Sequence, residues 1–243
     1  TAGSYLEDQD MWRLSGIFRN VTLWSAPQVH IRDFFIKTDL DEQYKDAMLL
    51  VSAKVKNYSG AAADACSLRL LLFDANKKSI GITKVTVPAL NAGEEKQVEI
   101  SLAVSNPTKW TAETPDLYTT VLTLGGDKPA EIISARTGFR EVEIKGRLYM
   151  INGVAVKLKG ANRHENWPDT GHYVTEERMI KDIEVLKQGN CNHVRTCHYS
   201  DDPRCIGKLD AGGEDGGRAY YDAMEKVIGE IDRVLRPRRY MAL

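Results

Sequence analysis

The stretch MLLVSAKVKN, residues 48–57, alternates without a break: Leu49, Val51, Ala53 and Val55 share one side, and Ser52, Lys54 and Lys56 the other. A period of two is that of a β-strand with one face on a core and the other in water. The same rhythm returns outward along the chain, in Leu68, Leu70 and Leu72, in Val98, Ile100 and Leu102, and in Tyr118, Thr120, Leu122 and Leu124. Turn-forming clusters separate the runs: Asn57-Tyr58-Ser59-Gly60, Asp74-Ala75-Asn76, Asn91-Ala92-Gly93 and Gly125-Gly126-Asp127. Many short strands within ~100 residues predict an immunoglobulin-like β-sandwich over residues 25–138. Trp110 and Tyr118 fit its core better than a sugar-stacking platform. Ahead of it, residues 1–24 open polar and acidic and then read SGIFRNVTLW (15–24), which predicts one short strand.

The rhythm changes beyond Gly138. REVEIKGRLYMING (140–153) predicts a hairpin, and VAVKLKGAN (154–162) an alternating strand that ends in a polar turn. Thr175 then stands before Glu176 and Glu177, the pattern of an N-cap with acids in the first turn. Met179, Ile180, Ile183 and Leu186 follow at helical spacing, and Lys187 and Gly189 mark the stop. CNHVR (191–195) is a further short strand. Strand, helix, strand in this order is a βαβ unit, so a parallel sheet begins here. One such unit cannot close a barrel, which takes ~250 residues. The expected fold is mainly β: the sandwich, then the truncated beginning of a (β/α)8 barrel over 139–204. From Cys205 the chain reads CIGKLDAGGEDGG, a flexible link, with an amphipathic helix expected over 218–235 inside the 205–243 tail.

Bulk properties narrow the classes. The chain has 243 residues and a formal charge of −1, so no global field recruits nucleic acid or an anionic membrane. No run of 18 apolar residues is present to span a bilayer, and no basic-then-apolar leader stands at Thr1. Localisation stays open between cytoplasm and periplasm. The four cysteines, Cys66, Cys191, Cys197 and Cys205, lack metal-ligand spacing, and free thiols are the expected state.

Two polar clusters fall where strands of the βαβ unit end: Asn162-Arg163-His164-Glu165 and Arg195-Thr196-Cys197-His198-Tyr199. Ligands of parallel α/β sheets bind beyond the carboxyl ends of the strands. Two arginines and two histidines are therefore expected to converge on one end, around a hydroxyl-rich or anionic partner; a structural ion cluster is the bland alternative. His164 and His198 with Glu165 or Asp169 would make a metal set, but no HExxH or paired-Cys spacing supports it. Cys197 and His198 point to opposite faces of a strand and do not make a thiol–imidazole pair. Glu165, Asp169, Glu176 and Glu177 are candidate acid/base groups, the last two already explained as helix N-terminal acids.

At this point SYLEDQDMWRLSGIFRNV (4–21), TGFREVEI (137–144), MINGVAVKLKGANRHENWPDTG (150–171) and NHVRTCHYSDDP (192–203) resemble the β-galactosidases of glycoside hydrolase family two. The resemblance covers about residues 4–204. It implies the end of a sugar-binding jelly-roll domain over 1–24, the sandwich, and the start of the catalytic barrel, hence an internal fragment. It implies that Asp10 binds a sodium ion and the galactosyl 6-hydroxyl, that His164 and His198 hydrogen-bond sugar hydroxyls in the transition state, that Arg195 holds the nucleophilic glutamate ionised, and that Asn162 and Arg163 orient the loop. No residue matches the nucleophile, the acid/base glutamate or the magnesium ligands, so this chain alone is expected to be inactive. Cys197 stands where the family usually has serine, and Ser200 where proline is frequent. Sodium and magnesium are the implied cofactors of the whole enzyme, a β-galactoside sugar is the implied partner, and homo-oligomerisation stays open. The alternatives are a β-glucuronidase, a β-mannosidase, or a non-catalytic sandwich module that binds carbohydrate or acts as a spacer.

Overall fold

The structure is a computed structural model and describes residues 12–14, 16–21, 23–126, 128–197 and 202. Asp10, His198 and the expected link and helix after Cys205 lie outside the described residues. The chain divides into two compact units, Leu23–Val156 and a second in which the described residues before 23 join those from Lys157 onward. No helix among the described residues is long and apolar enough to cross a membrane.

The first unit is the sandwich. One antiparallel sheet has the order β1-β2-β5, from β1 (Val29–Leu40), β2 (Ala47–Asn57) and β5 (Glu95–Val104). The other has the order β4-β3-β6-β7, from β3 (Cys66–Phe73), β4 (Ser79–Val87), β6 (Tyr118–Gly125) and β7 (Pro129–Thr137). The alternation fixes which face is inside. Leu49, Val51, Ala53 and Val55 of β2, Leu68, Leu70 and Leu72 of β3, and Leu122 and Leu124 of β6 are buried together in one core. Thr120 shares that face by parity, and its hydroxyl pairs with that of Thr137 at 2.7 Å, which satisfies both buried groups. Leu102 is only half-buried. Its methyls fill the space left by Gly81, where an added Cβ would lie 3.1 Å from Leu102 Cδ1.

Polar groups tie the ends of the strands. Asn57 is 0% exposed, and its amide nitrogen donates to the carbonyls of Ala61 (2.8 Å), Asn91 (3.1 Å) and Leu90 (3.3 Å). Its Oδ1 accepts from the amide and hydroxyl of Ser59 at 2.9 and 2.6 Å. One side chain thereby joins the turn after β2 to the turn before β5. Trp110 is fully buried, with the Arg140 guanidinium 4.3 Å from its ring centroid. It serves the core, as its residue type predicted.

β8 (Val142–Lys145), β9 (Leu148–Ile151) and β10 (Val154–Ala155) form a small antiparallel sheet of order β10-β9-β8 in the same unit. Gly146 (φ 64°) turns the first hairpin, and Asn152 (φ 50°) with Gly153 (φ 75°) the second. The sheet docks through Tyr44, whose hydroxyl donates to Glu143 Oε1 and accepts from Lys145 Nζ at 2.7 Å. Hydrogen bonds to Tyr44 and Glu143 hold the Lys145 ammonium well above the usual lysine range.

Two expectations change. VAVKLKGAN is not one strand: it breaks into β10 and β11 (Gly160–Arg163), which lie in different sheets. Alternation alone cannot say where a run changes pairing partner. The run 15–24 contains no strand among its described residues.

The second unit holds the βαβ unit. β11 pairs in parallel with β12 (His193–Thr196), and α1 (Glu176–Gln188) connects them. Met179 and Ile183 form the buried side of α1, with Glu176 and Glu177 in its first turn. Thr175 occupies the N-cap position, but its hydroxyl caps nothing and is buried without a hydrogen-bond partner. Gly189 ends the helix at φ −75°, and the left-handed conformation falls on Asn190 (φ 58°).

Candidate functional site

The register of the parallel pair decides which side chains share a face. Gly160 is opposite His193, Ala161 opposite Val194, Asn162 opposite Arg195 and Arg163 opposite Thr196. Gly160 has no alternative, since an added Cβ would lie 1.9 Å from the His193 carbonyl oxygen. Val194 and Arg163 are buried, and Arg163 Nε donates to Asp182 Oδ2 of α1 at 3.1 Å. That parity therefore faces the helix. Asn162 and Arg195 have the opposite parity, are both exposed, and stand side by side near the carboxyl ends of the two strands. His164, half-buried, follows β11 directly. In a barrel the face away from the helix is the lumen side, where ligands are held at the strand ends.

The expected convergence is thus only partly present. Asn162 and Arg195 stand side by side at one end of the sheet and His164 follows β11 there in sequence, while Arg163, one residue out of phase with Asn162, turns back under the helix. Glu165, expected among the acid/base candidates, is corrected to a structural group. It is 0% exposed; Oε1 accepts from Arg163 Nη1 at 3.0 Å, and Oε2 from the Asp202 amide at 2.9 Å and from Arg19 Nη2. With both oxygens bonded to fixed donors, Glu165 is the centre of a buried ion cluster. Arg19 also donates to the His172 carbonyl at 3.0 Å, and the His172 ring approaches the Trp12 carbonyl at 3.3 Å. Cys197 is buried, its amide and thiol both directed at the Arg163 carbonyl, at 3.2 and 3.5 Å.

No sequence pattern marked Arg19, Asp182 or the Asp202 amide. The Arg19–Glu165 pair joins residues 146 apart, and Asp182 lies on a helix whose polar positions all look solvated in sequence. Among the described residues, no three His, Cys, Asp or Glu side chains gather as a metal site. Of the two-histidine metal set, Glu165 is already paired with two arginines, Asp169 is exposed, and His198 lies outside the described residues.

Comparison with known proteins now fits this geometry. Residues 29–140 match the family described as glycosyl hydrolases family 2, and residues 142–214 match the TIM barrel domain of that family. The chain belongs to glycosyl hydrolase family 2. Its relatives in the family include the β-galactosidase of Priestia megaterium (strain DSM 319), 43% identical over 82% of this chain and 19% of that protein. Another is the β-galactosidase of Vibrio cholerae serotype O1, 42% identical over 83% of this chain and 20% of that protein. The chain spans about a fifth of the length of these curated relatives. Among solved structures, a family 2 member from Bacteroides cellulosilyticus superposes with a TM-score of 0.68 at 21% identity, over 84% of this chain and 26% of that one. The β-glucuronidase 2 of Bacteroides uniformis gives 0.65 at 23%, over 84% and 28%. At these identities the two structures establish the fold: the family's sandwich followed by the start of its barrel.

Proposed function

We propose that the chain is an internal segment of a retaining β-galactosidase, and that it supplies sugar-binding groups but neither catalytic glutamate. The observation that carries this is the pairing of Asn162 with Arg195, side by side at strand ends on the face away from α1. The β-galactosidase relatives share 42–43% identity over about four fifths of this chain, against 23% for the β-glucuronidase structure.

Asn162 and His164 offer hydrogen bonds to sugar hydroxyls, bonds that tighten as the ring flattens toward the oxocarbenium-like state. Arg195 offers a fixed positive charge that keeps a neighbouring carboxylate ionised. Asp10 and His198, outside the described residues, complete the set, with Asp10 as the ligand of a sodium ion that would bind the galactosyl 6-hydroxyl. Magnesium would sit on residues that this chain does not match. Retaining hydrolysis needs two carboxyl groups ~5–5.5 Å apart across the scissile bond, and Glu165 is withdrawn from that task by its two arginines.

The test compares the complete protein that contains this segment with the 243-residue chain. On 4-nitrophenyl β-D-galactoside and β-D-glucuronide, the complete protein should turn over the galactoside with retention at the anomeric carbon, read by NMR. The isolated chain should match the buffer blank. Preference for the glucuronide, or turnover by the chain alone, would refute the assignment.

A further inference from the structure

The described residues among 12–21 share a compact unit with the chain from Lys157 onward, although the whole sandwich unit separates them in sequence. Large apolar side chains do not explain the attachment: Trp12 is 64% exposed, and Ile17 and Val21 are each 85% exposed. The attachment is made instead on two residues of one loop, Glu165 and His172. Arg19 donates from Nη2 to Glu165 Oε2 and from Nη1 to the His172 carbonyl at 3.0 Å. One ring nitrogen of His172 faces the Trp12 carbonyl and the other the Glu165 carbonyl, each at 3.3 Å. Phe18 packs on the same ring, with centroids 5.1 Å apart. Between Glu165 and His172 the loop closes on itself through the amides and carbonyls of Trp167 and Gly171. Glu165 also accepts from the Asp202 amide at 2.9 Å and from Arg163, which ends β11 and bonds Asp182 of α1. The Cys197 amide, just past β12, donates to the Arg163 carbonyl.

We propose that the segment 12–19 is a strap that holds the Glu165–His172 loop closed, with Arg19 as its anchor. Freeing Arg19 opens this loop and loosens the ends of β11 and β12, while the sandwich keeps its order. Glu165 is 0% exposed, and a buried carboxylate that loses a cation keeps its desolvation cost. Local opening returns water to that carboxylate, a smaller step than global unfolding. The sandwich core is built from its own strands and stays closed through that step. The strap is a property of the fold and stands whichever sugar the complete protein takes.

Hydrogen exchange in the complete protein that contains this chain, read peptide by peptide, tests the strap. Arg19→Met keeps an apolar stem and removes both donated bonds. Exchange should speed by about tenfold or more across 165–173 and at the Cys197 and Asp202 amides, with β2 and β3 unchanged. Unchanged exchange across 165–173 overturns the proposal. So does an equal rise in β2 and β3, which would mark general destabilisation. Ile17→Ser removes an apolar side chain that is 85% exposed and should leave the loop at its parent rate. A rise matching that of Arg19→Met would overturn the polar anchoring. Should Arg19→Met leave no folded protein, Arg19→Lys keeps the charge near Glu165 and loses the second reach to His172. Exchange should then rise about threefold, confined to 165–173, and an unchanged rate there overturns the proposal.

Discussion

At the scale of single residues, His164 and His193 make opposite predictions. His164 stands just past the carboxyl end of β11, and the proposed function gives it sugar hydroxyls to bond in the transition state. Truncating it to alanine in the complete protein should lower kcat more than it raises KM. A hydrogen bond involving a developing charge contributes about 1.5–3 kcal/mol, hence roughly ten- to a hundredfold in rate. Normal kinetics with a lowered Tm would make it a packing residue. His193 lies at the other end of the sheet, on β12, with Nδ1 buried and without a hydrogen-bond partner. Burial pushes its imidazole below the ordinary value of 6.5. The unfolded chain therefore binds the proton more readily, and the His193 contribution to stability is full above pH ~6.5 and is lost as pH falls through the lowered folded value. Thermal melts of the chain from pH 7.5 to 5 should show a decline that His193→Gln flattens; an equal slope in both proteins would refute it.

At the scale of elements, the second turn of the small sheet is the most demanding local conformation. Gly153 has φ 75°, and a Cβ placed there would lie 2.4 Å from the Tyr44 ring. Gly153→Ala should destabilise the sandwich unit by roughly 1–3 kcal/mol, from backbone strain and displacement of Tyr44 together. Chemical denaturation measures it, and a loss below ~0.5 kcal/mol would show that the turn relaxes freely. The same elements show what a sequence discloses. The strands of the sandwich were legible because a two-residue period is local, as Leu49 to Val55 and Leu68 to Leu72 demonstrate. The division of 154–163 between two sheets was not, since β10 and β11 differ in partner and not in pattern. In the site, the exposed placement of Asn162 and Arg195 followed from strand ends. The withdrawal of Arg163 follows from parity one residue away, and the pairing of Glu165 with Arg19 from a contact spanning 146 residues that no local period encodes.

At the scale of the whole molecule, the two units are unequally supported. The sandwich unit encloses a contiguous core built from both of its sheets. In the second unit a small buried cluster pairs Val174 with Met179 under Trp167, and the β11–β12 sheet has two strands among the described residues. An isolated two-stranded sheet is marginal in water. Limited proteolysis of the chain should therefore cut first between residues 157 and 175 among the described residues, and leave a resistant product that contains 23–156. Early cleavage within β2, β3 or β6 would reverse that order.

The sealed corner at Asn57 has a consequence for producing the protein. Asn57-Tyr58-Ser59 is an acceptor triplet for N-linked glycans. In the folded chain its amide nitrogen already donates to three carbonyl oxygens and is closed to solvent. A glycosyltransferase of a secretory pathway could modify it only before β2 folds, and the attached sugar would then hold the two turns apart. Asn20-Val21-Thr22 is a second acceptor triplet, and its asparagine is exposed. Secretion from a eukaryotic host would lose folded yield in proportion to occupancy at Asn57, a loss that Ser59→Ala would recover only in part, because it also removes the hydroxyl bonded to Asn57 Oδ1 at 2.6 Å.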